Sequence, residues 1–386
     1  MRGMKYVVLV PDGASDEPVA ELGGRTPLEA AAMPNLAALA ARGEVGRAAT
    51  IPDGFPPGSD VGNMSILGYD PARYHTGRAP IEAAAMGIEL ADDEVAFRCN
   101  LVTVGADGTM LDFSAGHIPS EQSHPIVEAV DRALGGDGIR FVPGVMYRHI
   151  MVAPRELADV ECVPPHDLSD QPIVAPSGPA AARIAELMEA SKAVVQAEAE
   201  RLGAEATQIW LWGQGARPQM PAFSERHGVG GALVTAVDLI RGLGVLTGIE
   251  VIEVEGATGY YDTNYEGKRD ACLKALEDRD FFLLHVEASD EAGHNGDLEA
   301  KVEALENWDR RIIGPLVDAL PRPFRILLLP DHPTPVRRKT HTSDAVPYLL
   351  FDSEVDGPGG EYSESATAGA APVVGHTLME RLVARG

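Results

Sequence analysis

Short apolar runs that stop abruptly at turn residues punctuate this chain. The first, "YVVLV" at 6–10, ends at Pro11-Asp12-Gly13. An unbroken apolar run of that kind reads as a parallel strand covered on both faces, with Asp12 at its C-terminal end. "PLEAAAMPNLAALAARG" (27–43) follows with helical spacing, interrupted at Pro34 and stopped by Gly43. Residues 60–67 could open a helix, and 79–90 give another. From about residue 94 the texture changes. "EVAFRCNLVTV", a turn at Asp107-Gly108 and "TMLDF" predict a hairpin. "EQSHPIVEAVDRALG" reads as a helix despite its early proline, and "IRFVPG" and "MYRHIMVA" as strands, before a Pro-rich stretch at 163–179.

Beyond that stretch helices and strands alternate. A helix at 181–203 precedes "TQIWLWG", and "GALVTAVDLIRGLG" reads as a helix before the strand "IEVIEV". A helix at 265–278 precedes "DFFLLHVEASD", and a long one at 297–319 precedes "FRILLLPDHPTP". "AVPYLLFD" is the last strand. Such alternation predicts an α/β fold with a doubly wound, mostly parallel sheet. The expected division is a core of 1–92 and 177–386 with a smaller α+β domain, 93–176, inserted into it. No repeat of solenoid period is present.

Catalytic groups in such sheets collect beyond the C-terminal ends of the strands. Asp12 follows the first strand. Asp290, with His294 four residues on, follows "FFLLHVEAS", and Asp331-His332 follow "FRILLLP". His341 lies just before the last strand. Taken singly, each pattern has a plain alternative, a capped turn before a helix or an Asx-turn before Pro333. Together they form a mixed carboxylate and imidazole set suited to two borderline divalent ions, Mn²⁺ or Zn²⁺, with Mg²⁺ a further candidate. Such a pair can clamp the attacking and leaving oxygens of a phosphoryl group.

Charge sharpens this. With 58 acidic and 32 basic residues the formal net charge is −26, which argues against nucleic acid and anionic membranes as partners. An anionic substrate would need metal ions or local arginines to reverse the field. The 386 residues suit two domains. Cys99, Cys162 and Cys272 are scattered, which fits a reducing cytoplasm. No signal peptide is visible.

A two-metal site needs a nucleophile. In "FPPGSDVGN" Gly58 lets the backbone turn, and Ser59 or Asp60 can cap the following helix. Ser59 is thus a candidate nucleophile at a phosphate-favouring helix start, or merely its cap.

The order Asp12, Gly58-Ser59-Asp60, Asp290-x-x-x-His294, Asp331-His332, His341 resembles the alkaline phosphatase superfamily. "LGGRTPLEAAAMPNLAALAARGEVG", "PPGSDVGNMSILGYDPARYHTGRAPIEAAAMGIEL" and "VAFRCNLVTV" are similar to archaeal-type phosphoglycerate mutases independent of 2,3-bisphosphoglycerate, a likeness running to about residue 352. The resemblance implies an alkaline phosphatase-like core with an inserted cap and the interconversion of 3-phosphoglycerate and 2-phosphoglycerate. Asp290, His294 and His341 would hold one metal, and Asp12, Ser59, Asp331 and His332 the other, with Ser59 as the transient phosphoserine. Arg98, His117, Arg148 and Lys268 would contact substrate. The partner implied is a small phosphorylated molecule, and a homo-oligomer is left open. Where archaeal mutases carry an arginine-rich cap segment this chain has "DFSAGH" (112–117). That segment, with "FVPGVMYRHI" and "GATGYYDTNYEGK", is similar to a bacterial sub-branch proposed to be a homoserine kinase. In that alternative ATP is the donor and His117 sits by the acceptor. No P-loop or kinase-type glycine loop accompanies it.

Overall fold

A computed structural model of the chain describes residues 3–384. Its strands, in chain order, are β1 (Lys5–Pro11), β2 (Glu44–Ala49), β3 (Glu94–Val104), β4 (Met110–Asp112), β5 (Arg140–Val142), β6 (Arg148–Pro154), β7 (Gln208–Gly215), β8 (Gly231–Val234), β9 (Glu250–Val251), β10 (Phe281–Val286), β11 (Phe324–Leu328), β12 (Val346–Asp352) and β13 (Val373–Val374). They divide between two compact units. One holds the residues up to His75 and from Met220 onward, and the other is Thr76–Gln219.

The first unit is built on a sheet of order β13-β2-β12-β11-β1-β10-β8-β9. β1 pairs in parallel with β10 on one side and β11 on the other. Their side chains are almost wholly buried, as continuous apolar runs in a covered sheet must be. Val7 and Leu9 join one core cluster with Leu36, Trp308 and Leu316. Helices Asp238–Thr247 and Leu378–Val383 also pack on the sheet, against β8 and β11. The parallel pairing puts the C-terminal ends of three adjacent strands on one edge, and those are the ends that carry Asp12, Asp290 and Asp331.

The sheet is mostly parallel, as expected, with three features that the sequence reading lacked. β12 runs antiparallel to both β11 and β2, so the sheet is mixed at that side. β2, "EVGRAA", carries little apolar signal because it is half-buried, and its Gly46 leaves room for the Tyr348 ring, which a Cβ would meet at 2.6 Å. The first four residues of the expected helix "GALVTAVDLIRGLG" are instead β8, parallel to β10, and the helix starts at Asp238. A short buried apolar run carries no period that separates strand from helix.

The second unit has a five-stranded antiparallel sheet of order β4-β3-β6-β5, with β7 also on β3. Helices Ser120–Leu134 and Ala181–Leu202 bury Ile126, Val130, Ile184 and Leu187 with Phe97, Leu101 and Leu211 of the sheet. The insertion is therefore wider than 93–176. Helix Ala79–Ala85 packs Ala79 and Ala83 on Ala96, Ile150 and Val152, and "TQIWLWG" completes this sheet, not the core one. No helix among the described residues is long and apolar enough to cross a membrane.

Candidate active site

Asp12, Ser59, Asp290, His294, Asp331, His332 and His341 all lie in the first unit and come together at the shared strand edge. Asp290 and His294 sit on the helix Ala288–Asn295, one turn apart, so both face one way. Asp290 Oδ2 lies 3.3 Å from His294 Nε2, and Asp290 Oδ1 lies 3.4 Å from His341 Nε2. The two Nε2 atoms are 2.9 Å apart. Each ring's Nδ1 stands near a backbone carbonyl, His294 at 3.2 Å from Lys339 O and His341 at 3.4 Å from Pro57 O. A proton on each Nδ1 would satisfy those carbonyls and leave both Nε2 lone pairs pointing inward, an arrangement that a shared cation stabilises.

The second group is deeper. Asp12, Asp331 and His332 are fully buried. His332 Nε2 lies 3.6 Å from Asp12 Oδ1 and 3.5 Å from Asp331 Oδ2. Ser59 Oγ completes the set at 3.2 Å from His332 Nε2. Ser59 is the first residue of the helix Ser59–Ile66, whose cap is the extended Gly58. Ser59 lies inside the helix and is not its cap residue. The Ser59 hydroxyl instead turns to His332, and Asp60 Oδ2 pairs with His75 Nε2 at 2.8 Å. Asn63, one turn on, donates Nδ2 to Ser59 O at 3.0 Å and to Asp331 Oδ2 at 2.8 Å. Gly13, at φ +60, is needed where it stands, since a Cβ there would meet Asp290 Oδ1 at 2.4 Å.

Neither carboxylate oxygen of Asp12 has a hydrogen-bond partner among the described residues, although both are buried. His285 Nε2 is 3.1 Å from Asp12 Oδ2 yet also lacks hydrogen-bond geometry. Buried polar atoms this close that do not bond to each other call for another partner, which a bound ion would supply. Burial, then the charges of Asp331 and Asp290, push the Asp12 carboxyl well above its ordinary range. Burial also raises Asp290, but hydrogen bonds from His294 and His341 outweigh it and hold that carboxyl well below the usual range. His294 is raised to about 9, the pull of Asp290 exceeding the burial that opposes it. Among the described residues, three groups each have potential donor atoms within 4.8 Å of one another: Asp290, His294 and His341; Asp12, Asp290 and His332; Asp12, His285 and Asp331. The residues fit two adjacent divalent ions.

His285 went unnoticed in the sequence, although an imidazole inside the apolar run "FFLLHV" was a signal of a buried polar demand. Its Nδ1 is 3.2 Å from Thr235 Oγ1. Of the four substrate-contact candidates, Lys268 is fully buried in the same unit, with Nζ donating to His285 O at 3.1 Å. Burial pulls it down to about 8. The other three are in the second unit. Arg98 is buried, with Nε 2.8 Å from Glu82 Oε2 and its guanidinium 4.4 Å from the centre of the Trp212 ring. Arg148 lies over Tyr147 at 5.9 Å, and the exposed His117 ring meets the same tyrosine edge-on at 6.1 Å.

A family model for 2,3-bisphosphoglycerate-independent phosphoglycerate mutase matches residues 40–200. A Geobacter sulfurreducens protein described as a probable 2,3-bisphosphoglycerate-independent phosphoglycerate mutase is 49% identical, over 99% of this chain and 100% of its own. A Methanosarcina mazei phosphoglycerate mutase of the same description is 49% identical, over 91% of each chain. This chain belongs to the 2,3-bisphosphoglycerate-independent phosphoglycerate mutase family. Among solved structures, the PH0037 protein of Pyrococcus horikoshii is similar over 99% of this chain and 98% of its own, with TM-score 0.83 and 28% identity. The cofactor-independent phosphoglycerate mutase of Thermoplasma acidophilum covers 98% of this chain and 99% of its own, with TM-score 0.65 and 26% identity. The family likeness thus extends across both units.

Proposed function

We propose that this chain interconverts 3-phosphoglycerate and 2-phosphoglycerate through a phosphoserine at Ser59. The observation that carries the reading is the Ser59 hydroxyl at 3.2 Å from His332 Nε2, beside the buried Asp12 carboxylate, whose oxygens lack hydrogen-bond partners among the described residues. Asp290, His294 and His341 would hold one divalent ion, and Asp12, Asp331, His332 and Ser59 the other. When bound, the two ions would supply positive charge that favours the serine alkoxide and the phosphoryl oxygens and offsets the negative field.

Ser59 Oγ attacks phosphorus in line as the bond from phosphorus to the C3 oxygen breaks. The proton lost by Ser59 ends on the C3 hydroxyl. Glycerate then turns, its C2 oxygen takes the phosphoryl group, and Ser59 regains a proton. Asn63, held by both Ser59 O and Asp331, fixes the helix that aims the nucleophile. Water must be kept out, or the phosphoserine would be hydrolysed. Lys268 of the first unit and Arg98, Arg148 and His117 of the second remain candidate substrate contacts. A cytoplasmic location accords with three free cysteines.

Neither relative named above is described as a homoserine kinase. The deciding experiment follows phosphorus by NMR in manganese-loaded protein given 3-phosphoglycerate or, separately, ATP with homoserine. The expected product is 2-phosphoglycerate, formed only in the first mixture and lost on chelation. Phosphohomoserine as the sole product would overturn the proposal.

A further inference from the structure

Lys301 is fully buried, in the helix Leu298–Asn307, and takes no part in the chemistry above. Its ammonium donates to three oxygens: Asp16 Oδ2 at 2.8 Å, Thr334 O at 2.8 Å and Ser15 O at 3.3 Å. Ser15 and Asp16 lie in the loop that leaves β1 through Asp12. Thr334 lies in the loop that leaves β11 through Asp331 and His332. A buried ammonium has three protons to satisfy, and here all three go to the two loops that carry the deeper ligands.

The surroundings tighten the link. Asp16 Oδ2 also accepts from Val336 N at 3.1 Å, so the carboxylate itself bridges both loops. Asp16 N donates to Glu364 Oε1 at 3.0 Å, and Glu364 Oε2 accepts from Thr26 Oγ1 at 2.7 Å. Thr334 Oγ1 donates to Asp290 Oδ1 and stands 3.3 Å from His332 Nδ1. A Cβ on Gly293 would meet Thr334 O at 2.2 Å, so the helix bearing Asp290 and His294 is pressed on the same carbonyl. Direct backbone bonds between the loops are few and long, Thr334 N to Gly13 O at 3.3 Å and to Ser15 O at 3.2 Å. Gly13 N also donates to Asp331 Oδ1 at 3.2 Å, and the lysine adds a buried cation bonded to both loops at 2.8 Å.

We infer that Lys301 is a positioning residue that sets the spacing of the Asp12 loop against the Asp331-His332 loop and thereby the affinity of the deeper metal site. The inference rests on the two-metal reading above. A buried Lys-Asp pair could equally serve stability alone, since removing one partner of such a pair is destabilising wherever it occurs. The two roles separate when metal affinity is measured in the folded protein.

The test titrates cobalt(II) into wild type, Lys301→Met and the double variant Asp16→Asn/Lys301→Met, well below each melting temperature. Visible absorption reports ligand geometry, and a competing chromophoric chelator reports affinity. Loss of an outer contact to metal ligands typically weakens binding about 10- to 100-fold. The expected result is a loss of that size for one of the two ions in Lys301→Met, with kcat reduced and KM for phosphoglycerate held. The double variant, which removes both charges of the Lys301–Asp16 pair, is expected to regain melting temperature without regaining cobalt affinity. Wild-type cobalt affinity and spectrum in Lys301→Met, or recovery of both in the double variant, would overturn the inference alone. Failure of the wild type to take up cobalt would remove the two-metal reading and this inference with it.

Discussion

The two units bury charge in opposite ways. In the insertion, Arg98 is enclosed but has Glu82 at 2.8 Å and the face of Trp212 against it. Trp212 Nε1 in turn donates to Asn100 Oδ1 at 3.1 Å. In the first unit, Asp12 is more deeply enclosed, and its nearest charged neighbours include two more carboxylates. Arg98 thus faces an opposite charge, as a stable fold requires, although its Nε lacks hydrogen-bond geometry. The strand edge of the core leaves like charges facing one another, a repulsion that a bound cation would relieve. Buried charge facing like charge is therefore the mark of the functional region here, and buried charge facing opposite charge that of the scaffold.

The largest effect expected is that of Ser59→Ala. It removes the group that accepts phosphate, so turnover should fall by a factor of about 10³ or more while the melting temperature stays near wild type. Undiminished turnover would break the contrast at its functional end.

A matched pair of changes tests the contrast itself. Carboxylate-to-amide substitution should have opposite signs in the two units. Glu82→Gln strips Arg98 of its counter-charge and should destabilise the insertion by about 3 kcal/mol. Asp12→Asn removes a repelled carboxylate and should raise the stability of metal-free protein by about 1 kcal/mol, while abolishing activity. Denaturant melts of both variants in chelator give the comparison, and equal signs would contradict it.

A smaller effect comes from His149. Burial, aided by the nearby His124, pulls its imidazole down to about 3, and its Nδ1 accepts from Gly144 N at 3.0 Å. The neutral form is thus the folded form. Its contribution is intact above the unfolded value of 6.5 and is lost as pH falls from there toward 3. Between pH 7 and pH 5 the loss should be about 2 kcal/mol. His149→Asn, whose Oδ1 can replace the acceptor, should lack that pH-dependent loss. An equal loss in the variant would show that other groups carry the acid sensitivity.

The strand edge was legible because parallel strands announce themselves as apolar runs and their ends as abrupt polar stops. Asp12, Asp290 and Asp331 were found in that way. Adjacency was not legible, since nothing in "YVVLV", "FFLLHV" or "FRILLL" says which strand lies beside which. The same gap hid the allegiance of "TQIWLWG", whose alternation with helices suits either sheet, so the insertion was drawn too narrow. β8 was hidden because four apolar residues have no decisive period. Lys301 and His285 were missed for a different reason. Their importance lies in partners far away in sequence, Asp16 for one and Asp12 for the other, and only the folded chain supplies those.

The central claim is that Ser59 carries the phosphoryl group, and it can be read directly by rapid acid quench of manganese-loaded enzyme turning over phosphoglycerate, followed by peptide mass spectrometry. The account predicts a phosphoryl group on the peptide containing Ser59, absent without substrate and absent in Ser59→Ala. Turnover at the wild-type rate with that peptide unmodified, or with the phosphoryl group on another residue, would contradict it.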